Sequence, residues 1–313
     1  MTRENLQALV NDFSDNSPLN YIPKSSEEAR LGLDNESNNY AKNNLYITGA
    51  VSDMYERIEA DGVAGMRFYQ QPIFSVASAD APGFMEIKKP EAVGEHHLMP
   101  KDWLPSAKSV ISFFLPFERS TVEKNKLDPV APAIEWLYTR VDGQRFLLAL
   151  GTAVCKALIA EGYSAIAPYT EDSYIMQVGP VPAAGTEHVP PFSTNWSERH
   201  VGVVTGLGTF GLSTNFISRV GCAGRLISII TDMELEPDVP DYDDWLGYCN
   251  RCGVCLRKCP AQAHFTDRHG KDHGKCGAHI GKVCAPHAPR YGCGKCQSGM
   301  PCEYKPMPPK KQA

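Results

Sequence analysis

Residues 249–260 read Cys249-Asn250-Arg251-Cys252-Gly253-Val254-Cys255-Leu256-Arg257-Lys258-Cys259-Pro260, a C-x2-C-x2-C-x3-C-P run. Cys276, Cys284, Cys293, Cys296 and Cys302 follow, so nine of the eleven cysteines fall in one stretch. This spacing holds four-iron clusters: three thiolates on a tight loop serve one cube, and the fourth, set apart and followed by proline, is aimed at another. Two cubes need about eight thiolates, and the stretch supplies them with one to spare. Zinc sites separate their C-x2-C pairs by a longer gap. A disulfide framework suits a short secreted chain, not one of 313 residues.

The cysteine usage implies a reducing compartment. The N-terminal residues show neither an apolar signal core nor a twin arginine, and no run approaches about 18 apolar residues, so a cytoplasmic protein without membrane contact is expected. Charge is uneven. Residues 249–313 hold twelve Lys and Arg against three Asp and Glu, whereas the whole chain sums to −5. Basic residues around anionic thiolate clusters account for this; a docking face for an acidic electron donor or a nucleic acid is the alternative.

Residues 1–45 are polar and read as an N-terminal arm. A helix is expected over 46–66, ending near Gly62, and 70–105 reads as loop. Residues 107–116 read as a buried strand, 130–162 as a long helix closed by Gly162, and Tyr163–Pro168 as a second strand. Residues 170–195 are irregular, Val201–Val204 suggest a strand, and Arg225–Thr231 is a strong strand. Strands separated by helices predict an α/β core. The expected units are the arm (1–45), an α/β cofactor-binding domain (46–245), an iron–sulfur domain (246–302) and a basic tail (303–313).

Gly206-Leu207-Gly208-Thr209-Phe210-Gly211 matches G-x-G-x-x-G. A dinucleotide site needs a strand before the run and a helix after it. Leu212-Ser213-Thr214-Asn215 starts a helix poorly, so a glycine-dependent turn near the core or a flat ligand is preferred.

Arg199, the glycine run, Asn215-Phe216-Ile217, the strand ending Thr231-Asp232 and the C-P quartet together resemble the epoxyqueuosine reductase and reductive dehalogenase superfamily. Tyr291-Gly292-Cys293-Gly294-Lys295-Cys296-Gln297 resembles its second cluster motif. The resemblance covers about residues 105–302. It implies a nitroreductase-like α/β core, a C-terminal ferredoxin-like module with two [4Fe-4S] clusters, cobalamin, and reductive cleavage of a carbon–oxygen or carbon–halogen bond. It further implies a low-potential donor such as ferredoxin or flavodoxin, with transfer RNA among the candidate substrates. Carried over by position, Cys249, Cys252, Cys255 and Cys302 hold the first cluster, and Cys259, Cys276, Cys293 and Cys296 the second. The family's last cysteine comes four residues after its partner and precedes proline. Cys302 comes six after Cys296 and follows Pro301, which leaves Cys284 as the substitute. Gly206, Leu207, Gly208, Gly211 and Asn215 are the implied cofactor contacts. An electron-transfer or binding protein with two clusters and no corrinoid is the alternative, and a nicotinamide enzyme a weaker one.

The family's epoxyqueuosine reductases carry an acid in a V-D-[ST]-[AG]-P segment. The matching segment here is Met176-Gln177-Val178-Gly179-Pro180, which puts Gln177 in the acid's place. An amide holds a substrate but delivers no proton. The chain is therefore expected to depart from strict epoxyqueuosine reduction, or to take its proton from Glu171, Asp172 or Tyr174. Tyr169, Tyr174, Phe192 and Trp196 are candidates to line a planar pocket. Glu198 and Arg199 read as a surface ion pair, with a buried carboxyl acting as an acid and an arginine holding an anionic group as the alternative, and Cys155 reads as a core thiol.

Overall fold

The computed structural model describes residues 1–25 and 57–308. Helix α1 (Arg3–Asn16) opens the chain, with Thr2 accepting a hydrogen bond from the Asn5 amide at its N-terminus. Leu6, Leu9, Val10 and Phe13 recur at helical spacing, and all four pack against the core. The expected arm thus begins as an amphipathic helix whose apolar stripe was hidden by the polar average of the segment. Of the helix expected over 46–66, residues 46–56 lie outside the described residues. Residues 57–62 form a turn ending at Gly62, with φ of 67°.

One four-stranded sheet organises the chain. Its strands are β1 (Ile73–Ser78), β2 (Ser109–Pro116), β3 (Ala165–Ile166) and, later in sequence, Gly224–Thr231. The spatial order is β1, β2, the Gly224–Thr231 strand, β3, and every pairing is antiparallel, with Val110 opposite Ile230 and Val76 opposite Ile111. The expectation of strands separated by helices holds, but the sheet is antiparallel. The stretch 70–105, expected as loop, contains β1, buried on both faces: Phe74 and Val76 join one side of the core and Ala77 the other.

β2 is buried over its whole length because helices cover both faces of the sheet. On one face, Ile111, Phe113 and Leu115 join Ile227 and Ile229 under helices α2 (Ile134–Val141) and α3 (Gly143–Ala160). The single long helix expected over 130–162 is this pair, interrupted at Asp142, with Gly162 beyond it at φ of 91°. Contrary to the expectation from apolar runs, Ile134–Ala160 is long and apolar enough to cross a membrane by length and composition. Here Phe146, Leu147, Leu150, Val154 and Leu158 pack it into the core, along with Cys155. On the opposite face, Val110 and Ile230 meet Phe84, Trp196 and Val201.

Val201 belongs to helix α4 (Glu198–Val204), not to a strand. Packing of Val201 and Gly202 beneath the sheet overrides the β preference of this valine-rich run. The glycine run then turns into a hairpin of β4 (Gly208–Phe210) and β5 (Phe216–Ser218), which leads to the last sheet strand, β6 (Gly224–Thr231).

Beyond residue 248 regular structure is sparse: one turn at Val254–Arg257, then helix α5 (His273–Cys284). This segment is fastened to the sheet domain by polar contacts. Arg290 donates to both oxygens of Asp142 at 2.8 and 2.9 Å. Asn125 Nδ2 donates to Ser298 Oγ at 2.9 Å, and the Cys222 amide to the Cys302 carbonyl at 3.0 Å. Of the basic tail, residues 303–308 return to the body, where the Met307 amide bonds the Tyr248 carbonyl, and 309–313 lie outside the described residues.

Candidate metal centre

The turn at Val254–Arg257 begins at Gly253, whose φ of 72° lets the chain curl after Cys252 and presents Cys249, Cys252 and Cys255 from one loop. The β4–β5 hairpin and the Met300–Cys302 turn close around them. Cys222, Cys249, Cys252, Cys255, Cys296 and Cys302 all line one pocket that opens to solvent. Cys284 is not among its lining residues; its thiol is buried and donates to the Gly292 carbonyl at 3.8 Å. Among the described residues no three His, Cys, Asp or Glu side chains converge as the ligands of a single ion would. The thiols surround a space rather than a point.

Electrostatics divide the cysteines into two neighbouring groups. Burial pushes the Cys255 thiol up to about 11, and the thiolates of Cys302, Cys249 and Cys296 add to the effect. Burial raises Cys276, reinforced by Cys296 and Cys259. Burial likewise takes Cys293 to about 12, with Cys296 and Cys276 reinforcing it. Cys296 thus stands between the groups, and its carbonyl accepts from Asn215 Nδ2 at 2.9 Å. Cys255, Cys276 and Cys293 thus resist ionisation, whereas a hydrogen bond from Cys222 lowers Cys302. Metal cations remove that penalty, because a coordinating thiol is deprotonated outright. The donor set therefore fits iron–sulfur clusters.

No family model and no curated protein matches the chain. Solved structures do. An epoxyqueuosine reductase from Streptococcus thermophilus is 18% identical with a TM-score of 0.44, over 81% of this chain and 67% of that one. A catabolic reductive dehalogenase in complex with 3-bromo-4-hydroxybenzoic acid is 15% identical with a TM-score of 0.49, over 75% of this chain and 30% of that one. An epoxyqueuosine reductase with a transfer RNA stem loop is 16% identical with a TM-score of 0.41, over 80% of this chain and 64% of that one. The structures it is similar to are epoxyqueuosine reductases and reductive dehalogenases. The chain spans about two thirds of the first reductase's length and less than a third of the dehalogenase's.

The glycine run is not a nucleotide loop, since helix α4 precedes it and a strand lies within it. A Cβ on Gly208 would stand 2.1 Å from the Ile217 carbonyl oxygen, so this glycine lets the two hairpin strands close on each other. It cradles the hairpin itself and leaves no room for a ligand at that point. Gly206 takes φ of 80° at the helix end, and Leu207 is fully buried. Of the implied cofactor contacts, Gly211 and Asn215 alone line the thiol pocket. Asp232, about twenty residues past the glycine run where a dinucleotide site wants its acid, instead accepts from the Ser164 amide at 2.7 Å.

Gln177 is buried, with its amide donating to Thr186 and its carbonyl oxygen accepting from the Ala183 amide. Its side chain ties its own loop together. Tyr174 packs edge-on against Tyr169 with ring centroids 4.7 Å apart. Trp196 is wholly in the core and donates to Ser228 Oγ at 2.8 Å, while Phe192 stacks on His273. The planar-pocket set is therefore split, with only the Tyr169–Tyr174 pair kept together. His269 and His279 each pair with a backbone carbonyl, of Gly211 and Val130.

Two side chains outside the expected ligand and cofactor set stand out. Cys222 lies outside the motif, signalled only by a cysteine after the Gly221 turn, yet it shares the thiol pocket. Glu198, read as half of a surface ion pair, has both carboxylate oxygens buried, with Ser228 the polar group beside them. Burial pushes it up to about 7, which Ser228 offsets only in part. Its neighbour Arg199 is exposed and instead donates to the Thr214 carbonyl at 3.1 Å. The Glu198 carboxyl is harder to ionise folded than unfolded, so the stability it allows at pH 5 is lost as pH rises through about 7. Glu198→Gln is accordingly expected to raise Tm over wild type at pH 8 and to change it little at pH 5. An equal shift at both pH values in paired melts would count against a buried, titrating carboxyl.

Proposed function

We propose that this chain is an iron–sulfur reductase with two [4Fe-4S] clusters, the first on Cys249, Cys252, Cys255 and Cys302, the second on Cys259, Cys276, Cys293 and Cys296. The observation that carries the reading is the shared thiol pocket with Cys296 on its wall, which makes the two cysteine groups adjacent. Adjacent clusters pass electrons one at a time, and their potentials are tuned by burial and by hydrogen bonds to sulfur.

The reaction is reductive cleavage of a carbon–oxygen or carbon–halogen bond, and the cofactor of that step is a corrinoid. A corrinoid, when bound, supplies the reduced cobalt that such cleavage requires. Tyr169, half-buried against Tyr174, and Arg199, exposed with its guanidinium on the Thr214 carbonyl, are the residues that would meet it, while Arg225 already donates to the Arg140 carbonyl and to Gln144. The part of Tyr169 and Arg199 is to hold polar groups of the cofactor and limit water. The surplus of Lys and Arg after residue 248 suits an acidic low-potential donor such as ferredoxin or flavodoxin. The second reading, a two-cluster electron-transfer protein without a corrinoid, is favoured by one observation: Gly208 packs against Ile217 instead of opening a cradle.

Anaerobic reconstitution with iron, sulfide and cobalamin tests both readings. About eight irons per chain are expected from eight thiolates, with corrinoid absorption retained through desalting. Iron near four with all eight cysteines intact overturns the two-cluster assignment. Cluster bands without corrinoid bands hand the function to electron transfer. Transfer RNA carrying the queuosine precursor and halogenated aromatics are the substrates to assay first.

A further inference from the structure

Cys222 is held in place from three sides. Its amide donates to the Cys302 carbonyl at 3.0 Å, its carbonyl accepts from Gln297 Nε2 at 2.9 Å, and its Sγ lies 3.9 Å from Cys302 Sγ. It is buried on the wall of the thiol pocket. On the proposed reading, which this inference presupposes, four cysteines complete the first cluster and Cys222 is a fifth thiol without an iron to bind.

We propose that Cys222 is a positioning residue: it donates its S–H to the sulfur of Cys302, fixes that ligand, and raises the reduction potential of the first cluster. Once bound to iron, Cys302 has no proton of its own and carries negative charge. It can only accept, and a charged sulfur is a better acceptor than the neutral Gln297 carbonyl 3.6 Å away. Reduction adds one negative charge to the cluster. A donor at a ligand sulfur stabilises that reduced state, so it moves the couple upward. The fixed backbone pairing matters because a thiol is a weak donor whose effect depends on being held in reach.

The test uses the full reconstituted chain, with Cys222→Val to keep the volume and remove the donor, and Cys222→Ser to restore one. Both variants are expected to keep about eight irons, since neither removes a ligand. In a potentiometric titration followed by electron paramagnetic resonance, Cys222→Val should lower one of the two couples. The expected size is up to a tenfold change in the ratio of reduced to oxidised cluster, about 59 mV for one electron. Cys222→Ser should return most of the shift, and the other couple should stay where it is. Equal potentials in all three proteins overturn the inference. So does loss of half the iron in Cys222→Val, which would make Cys222 a ligand. A wild-type iron content near four would instead sink the two-cluster reading on which the inference stands.

Discussion

Replacing Arg290 by alanine is expected to destabilise the protein by about 3–5 kcal/mol, the usual cost of stranding one half of a buried ion pair. Arg290 and Asp142 are 5% and 3% exposed, and the guanidinium meets both carboxylate oxygens. The guanidinium also lies 3.5 Å over the Tyr138 ring. Asp142 sits at the break between α2 and α3, so truncation would leave a buried carboxylate at the start of the main core helix. The pair also joins the stretch between Cys284 and Cys293 to the sheet domain, so the second cysteine group should lose its anchorage as well. Anaerobic denaturant unfolding measures the effect. Arg290→Met combined with Asp142→Leu should recover most of the loss, because the penalty comes from the unpaired charge and not from a missing attraction. A loss below about 1 kcal/mol, the usual worth of an exposed ion pair, would mean that the pair is solvated in solution.

The second large effect separates ligand from bystander among the cysteines. Cys252→Ser is expected to bring iron from about eight to about four per chain, one cube being lost with its ligand. It should also loosen the residues after 248, which have little regular structure and for which metal binding supplies folding energy. Cys284→Ser should leave iron at about eight, although the two thiols lie in the same cysteine-rich stretch. Cys284 is buried at the end of α5, facing the Gly292 carbonyl and away from the thiol pocket. Iron analysis after reconstitution decides. A fall in Cys284→Ser matching that in Cys252→Ser would make Cys284 a ligand, the substitute that the unusual placing of Cys302 after Pro301 leaves open.

Local pattern in this chain was enough for whatever depends on neighbours a few residues away. The apolar-rich stretches of β2 and β6, interrupted by Ser109 and Ser112 and by Arg225 and Ser228, and the helical period from Phe146 to Leu158 each announce their element, because burial on two faces or on one stripe leaves a trace in the sequence. The close spacing from Cys249 to Cys259 likewise announces thiols presented on one loop. Polar averaging concealed α1, and a proline-rich setting concealed β1, since both signals are short and sit among unlike residues. The helix at Glu198–Val204 was hidden by its valines, whose strand preference yields to packing under the sheet. Only the tertiary structure decided the antiparallel strand order, the company of Cys302 and Cys222 in one pocket, and the exclusion of Cys284 from it. It also turned Glu198 from an expected surface charge into a buried carboxyl near neutrality. These features join residues tens to hundreds of positions apart. Sequence spacing carries no information about such distances until the chain has closed its loops and chosen which side of the sheet each segment covers.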